Sequence, residues 1–217
     1  PLLAQSLARD FLTKVPREFE RGRLLTIGTT NLGAKRPVVW NMGAIARHYD
    51  NPQAVELFRD VILASAAIPG LFPPVNIKVK ADGQYYDEMH VDGGVTRQIY
   101  VSSLNVPFKT FDVLYPKPPH RRLFLVHNGK MDPQYGAVKP STFQIAGESI
   151  NALMLYQHKG DNYRIYRMAK DAGADFNSVA IPPDFNHASK EKFDLEYQKA
   201  LFDEGYRVGK AKTWRKK

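Results

Sequence analysis

The residues best placed to do chemistry are Glu88-Met89-His90-Val91-Asp92-Gly93-Gly94-Val95. An acidic residue closes an apolar run that reads as the end of a strand, and two glycines follow at once. A carboxylate there sits at the lip of a sheet, where the chain must turn. Gly93 and Gly94 are expected to take backbone angles that other residues avoid, and to let backbone or substrate come close. Such a carboxylate can accept the proton of a hydroxyl nucleophile with no imidazole between them. Asp92 is therefore the candidate catalytic base, with Gly93 and Gly94 supporting it.

Other readings compete for the same residues. In a regular strand Glu88, His90 and Asp92 share one face, and that row could bind a metal. No further cluster of His or acidic residues complements it, so neither a metal nor another cofactor is expected. A plain turn is the simplest reading of Asp-Gly-Gly alone. Asp82-Gly83 gives the contrast: its flanks are polar, and it reads as a hairpin turn only.

A hydroxyl nucleophile usually stands on a sharp elbow flanked by glycines. Ser65, in Ala64-Ser65-Ala66-Ala67, lacks them and reads as small-residue helix packing. Ser149, in Gly147-Glu148-Ser149-Ile150-Asn151, lacks the second glycine and falls within a helix. Ser6 has no such context, and no glycine-rich stretch resembles an oxyanion loop. His48, His120, His127, His158 and His187 are scattered and read as surface or hydrogen-bonded histidines. Tyr85, Tyr86, Tyr163 and Tyr166 read as core edges, with a lipid-accepting groove as the alternative.

Strands and helices must position these residues. Pro1 to Lys14 is expected to be a helix, with Leu3, Leu7 and Phe11 at helical spacing. Arg23 to Thr30 reads as a buried strand, Asn31 to Pro37 as a loop, and Val38 to Asn41 as a second strand. Asn51-Pro52 starts a helix that turns Val55, Phe58, Val61 and Ile62 to the core and stops at Ile68-Pro69-Gly70. Val75 to Val79 and Gln84 to Val91 pair around Asp82-Gly83. Arg122 to Val126 reads as another buried strand. Ser141 is expected to cap a helix towards His158 with Ile145, Ile150, Leu153 and Met154 inward, interrupted at Gly160-Asp161. Val179 to Ile181 is expected to be the last strand, before a helix holding Phe193, Tyr197, Leu201 and Val208. Strands alternating with helices imply an α/β sheet covered by helices.

The 217 residues fit one domain or most of one, and contain no apolar run long enough to span a membrane. With no cysteine, disulfides and thiolate metal sites are excluded within the chain, and the compartment stays open. The net charge of +9 fits attraction to an anionic membrane surface or a solvated surface with a basic tail. The charges form no long basic stripe, so nucleic acid is not expected as a partner.

Several stretches together resemble the bacterial branch of the patatin-like phospholipases. They are Gly22-Arg23-Leu24-Leu25 with Gly28-Thr29-Thr30-Asn31-Leu32, Arg36 to Ala46, Ala64 to Val75, Tyr86 to Val95, and Phe193-Asp194 through Gly205-Tyr206. The resemblance implies a three-layer α/β/α fold, hydrolysis of phospholipids or other acyl-ester lipids, and a Ser-Asp dyad whose aspartate is Asp92. The family's oxyanion loop and G-x-S-x-G elbow match nothing here. The chain is accordingly expected to be the C-terminal part of one domain spanning 1–217, incomplete at its N-terminus. The nucleophile would come from a missing N-terminal segment or a second chain, and this chain alone would be inactive. A non-catalytic module that binds a lipid surface or a partner is the alternative. Gly33 departs from the acidic residue the family pattern has after Asn31-Leu32.

Overall fold

The computed structural model describes residues 9–101, 108–189, 193–212 and 214–216. They form two compact units, one within Pro1–Ser103 and one within Leu104–Lys217. Both mix helices and strands, so the expected α/β class holds.

The N-terminal unit contains α1 (Arg9–Glu20), β1 (Thr26–Asn31), β2 (Arg36–Asn41), α2 (Met42–Ala46), α3 (Pro52–Ser65), β3 (Val75–Ala81) and β4 (Gln84–Asp92). Its four strands form one antiparallel sheet in the order β2-β1-β4-β3. Apolar faces of the three helices meet that sheet. Leu12, Met42, Ala46, Phe58, Val61 and Ile77 bury together as the core. Burying a large apolar side chain contributes about 1.5–3 kcal/mol, so this cluster fixes α3 against the sheet. Asn51 starts α3 as expected: its side-chain oxygen accepts the Gln53 N–H at 2.9 Å, and Pro52 follows in the first turn.

The β3–β4 hairpin turns at Asp82 and Gly83, with φ of 50° and 81°. Two successive positive φ values suit a tight hairpin of right-twisted strands. That turn sets the register from Ala81↔Gln84 through Val75↔His90. A slip of one residue would reverse every side chain, so the turn decides which face of the sheet His90 occupies.

Three boundaries in this unit differ from the expected ones. Leu3 and Leu7 lie outside the described residues, and α1 runs on to Glu20. The apolar stripe continues through Leu12 and Val15 to Phe19, which packs against Gly43. β1 begins only at Thr26, and Leu24 and Leu25 are exposed. The loop after it is shorter than expected, because Arg36 and Pro37 already belong to β2. Pro37 is tolerated there because β2 is an edge strand.

The C-terminal unit contains a 3-10 segment (Phe108–Leu114), β5 (Arg122–His127), α4 (Thr142–Ala172), β6 (Asp175–Ala180), α5 (Leu195–Lys210) and β7 (Arg215–Lys216). β5 and β6 are parallel, and the chain between them contains α4. Parallel neighbours need such a long crossover. β7 adds to β6 in the antiparallel sense, so β6 is not the last strand.

α4 overturns most of what was expected of it. It runs unbroken through Gly160-Asp161, and Arg164 holds Asp161 at 3.0 Å one turn on. Ile165, Ala169 and Ala172 are its buried apolar residues, whereas Ile145, Ile150 and Leu153 face outward and Met154 is half-buried. Ser141 stands at the cap position without a side-chain hydrogen bond. Gly173 ends the helix at φ 65°, which lets the Ala174 N–H reach the Ala169 carbonyl at 2.8 Å. β5 is half-buried rather than buried: Leu125 and His127 face in, Phe124 and Val126 out. Phe193 precedes α5 and is exposed.

Candidate active site

β4 ends at Asp92, and the chain turns straight into a 3-10 turn, Gly93–Val95. Asp92 caps that turn: its Oδ1 accepts the Gly94 N–H at 2.7 Å. Its backbone is held on both sides. The Asp92 N–H donates to the Ala67 carbonyl at 3.0 Å, and its carbonyl accepts from Thr30 Oγ1 at 3.0 Å. The Thr30 and Thr96 hydroxyls lie 2.8 Å apart. Thr30 spends its proton on Asp92, so Thr96 donates in that pair.

Ala64 and Ala67 explain how the end of α3 comes so near. Both are buried, and their lack of bulk allows the chain leaving α3 to touch the end of β4. The Ala64–Val75 and Tyr86–Val95 stretches, separate in sequence, thus meet at the Asp92 backbone.

Only one carboxylate oxygen is occupied. Among the described residues no group hydrogen-bonds Oδ2 of Asp92. The carboxyl is half-buried, and burial pushes its pKa above the ordinary aspartate value, against the lowering effect of the Gly94 N–H. Asp92 is therefore a stronger base than an exposed aspartate, with one oxygen fixed and the other open.

The two glycines are required for space, not for the unusual angles expected of them. Neither has a left-handed φ. A Cβ on Gly93 would stand 2.6 Å from the Gly28 carbonyl oxygen of β1. A Cβ on Gly94 would stand 3.0 Å from Asp92 Oδ1 itself.

His90 is fully buried behind the site. Its Nδ1 lies 2.9 Å from Thr29 Oγ1, and its Nε2 lies 3.2 Å from Glu88 Oε2. Trp40 Nε1 donates to the same Thr29 oxygen at 2.8 Å. Thr29 then gives its own proton to Nδ1, which leaves the His90 Nε2–H for Glu88. Both ring nitrogens are thus engaged within the protein. Glu88, His90 and Asp92 do not converge, and among the described residues no group of three His, Cys, Asp or Glu could hold a metal ion.

Neither Ser65 nor Ser149 presents a free hydroxyl. Ser65 Oγ donates to the Ile62 carbonyl at 2.8 Å, and Ser149 Oγ to the Ile145 carbonyl at 2.7 Å. Each hydroxyl is turned onto its own helix, and Ser6 lies outside the described residues. Tyr85, Tyr86 and Tyr163 are exposed, and Tyr166 packs edge-on against Phe176 at 5.4 Å. Sequence reasoning passed over Thr29, Thr30, Trp40 and Thr96 as supports of the site. The available signal was Thr29-Thr30, two hydroxyls set in a strand that buries both.

Among curated proteins none matches the chain. The family model described as patatin-like phospholipase matches residues 2–110, half of the chain. The chain belongs to the patatin-like phospholipase family. That family hydrolyses acyl lipids, so this is a domain of the lipid acyl hydrolase class with lipid substrates. The patatin-like match takes in α1 to β4, Asp92 and its supports, and stops before β5. The Phe193–Tyr206 stretch read as part of the resemblance lies beyond it.

Proposed function

We propose that Asp92 is the general base of a Ser-Asp dyad that cleaves ester bonds of phospholipids or other acyl lipids. The observation that carries this reading is the open Oδ2 of a carboxylate whose Oδ1 is fixed by Gly94. The fixed oxygen sets the orientation, and the open one can accept a proton along a defined direction. The partner hydroxyl stands on a G-x-S-x-G elbow outside these 217 residues, on an N-terminal segment of the same domain or on a second chain. Asp92 takes its proton as the oxygen attacks the ester carbonyl. Backbone N–H groups of a glycine-rich loop, supplied by the same outside part, hold the oxyanion, and water then releases the acyl-enzyme. By itself the chain is inactive. Gly93 and Gly94 act as positioning residues, keeping the Asp92 turn tight against β1. The net charge of +9 favours work at an anionic membrane surface.

The test is Asp92→Asn, made in the gene in its native setting. Asparagine keeps an oxygen for the Gly94 N–H and removes the base. Hydrolysis of a phospholipid ester should fall by about a hundredfold or more, with the far-UV circular dichroism unchanged. Full activity would overturn the dyad. Lipid binding without any cleavage by the wild-type protein would favour a non-catalytic lipid-binding module.

A further inference from the structure

In the C-terminal unit, Leu201, Gly205, Val208 and Gly209 of α5 line a cavity of about 450 Å³. They fall on one stripe of the helix. Val179 and Ile181, at the end of β6, form the facing wall. Glycine inside a helix is destabilising, so two on one stripe need a reason. A Cβ at either position would find nothing within 4 Å. The glycines leave room between helix and sheet.

A buried polar group marks the same cavity. His127, at the end of β5, lines it and is only 7% exposed. Its Nε2 is buried with no hydrogen-bond partner. Its ring lies against that of His158, with centroids 4.6 Å apart. Glu204 also borders the cavity, but Arg207 holds its carboxylate, with Nε 2.8 Å from Oε2. Crevices beyond the carboxyl ends of parallel strands are habitual ligand sites, and β5 and β6 are parallel.

The apolar cavity shares Asn128, Ile181 and Leu201 with a polar one of about 590 Å³ that is bordered by Lys130. The Lys130 ammonium reaches only neutral acceptors, the Pro183 carbonyl at 3.3 Å and Asn186 Oδ1 at 3.4 Å. Among the described residues no carboxylate pairs with it. An apolar cavity joined to a polar one with an uncompensated cation has the pattern of a chain with an anionic head.

We propose that this unit binds a long-chain carboxylate, its tail in the cavity between α5 and β6 and its head on Lys130. The proposal uses no residue assigned to hydrolysis and does not rest on the role of Asp92. Either can fail without the other.

The test is calorimetric titration of the protein with dodecanoate and with dodecanol. Dodecanoate should bind saturably, one per chain. Gly205→Leu fills the cavity with a side chain suited to a helix. It should weaken binding of both ligands by about tenfold or more. Gly209→Leu should do the same one turn on, so the outcome does not hang on one variant folding. Lys130→Ala should weaken dodecanoate by about tenfold and leave dodecanol unchanged. No saturable binding, or binding that both leucine variants leave intact, would overturn the site. Equal affinities of dodecanoate for wild type and Lys130→Ala would overturn the placement of the head.

Discussion

An aspartate that accepts a proton in one direction needs one oxygen held and the other open. Asp92 meets both conditions through a single backbone hydrogen bond from Gly94. Its raised pKa has two consequences of opposite kind. For turnover, the base must be ionised, so activity should fall as pH drops through its folded pKa. The acid limb of kcat/KM should therefore lie above the ordinary aspartate value, as a pH–rate profile would show. For stability, a carboxyl whose pKa is higher folded than unfolded favours folding while protonated. That contribution is present below the unfolded pKa and is lost as pH rises through the folded one. Once ionised, Asp92 thus opposes folding. Asp92→Asn should unfold in urea at an equal or higher midpoint than wild type at pH 7, and the difference should shrink in acid. Gly93→Ala should act differently, because its methyl would strike the β1 backbone at Gly28. A loss of about 1–3 kcal/mol is expected from overpacking, read from the same urea transitions.

Elements position the site by where they end. α3 ends just before Ile68-Pro69-Gly70, so that the Ala67 carbonyl can accept the Asp92 N–H. Ala67→Leu should crowd this junction and lower kcat more than it raises KM, because it moves the base without touching the ester. Steady-state kinetics on vesicle substrates would separate the two. Local rules carried much of the fold. Asn51-Pro52 and Asp82-Gly83 act through their own backbone, so they were legible in the sequence. Asp92 at a strand end was legible for the same reason. The α4 face was not. Helical spacing marks Ile145, Ile150 and Leu153 as apolar but does not say what covers them, and in the structure they are exposed. The expected break at Gly160-Asp161 failed because one glycine costs a long helix only about 1 kcal/mol, and the Asp161–Arg164 pair lies within the helix. The Thr29–His90 hydrogen bond joins neighbouring strands, a relation that sequence spacing does not display, whereas the Glu88–His90 contact follows from their shared face of β4.

At the scale of the whole molecule, charge and family point the same way. A chain carrying a net charge of +9 in a family that acts on lipids should bind anionic vesicles more tightly than zwitterionic ones. Raising salt from about 0.05 to 0.5 M should remove most of that difference in a sedimentation assay, since the Debye length shortens severalfold. Salt-independent binding would assign the attraction to apolar contact instead. The patatin-like match ends at residue 110, so the cavity beneath α5 belongs to a part of the chain the family match does not cover.

The measurement that tests the central claim most directly is labelling by a fluorophosphonate serine probe, with peptide mapping. It would be run on the protein from its native source and on the same protein carrying Asp92→Asn. The label should fall on a serine outside these 217 residues, within G-x-S-x-G. Asp92→Asn should slow it by about a hundredfold or more. A label on Ser65 or Ser149, or equal labelling rates in the two proteins, would contradict the assignment of Asp92 as the base.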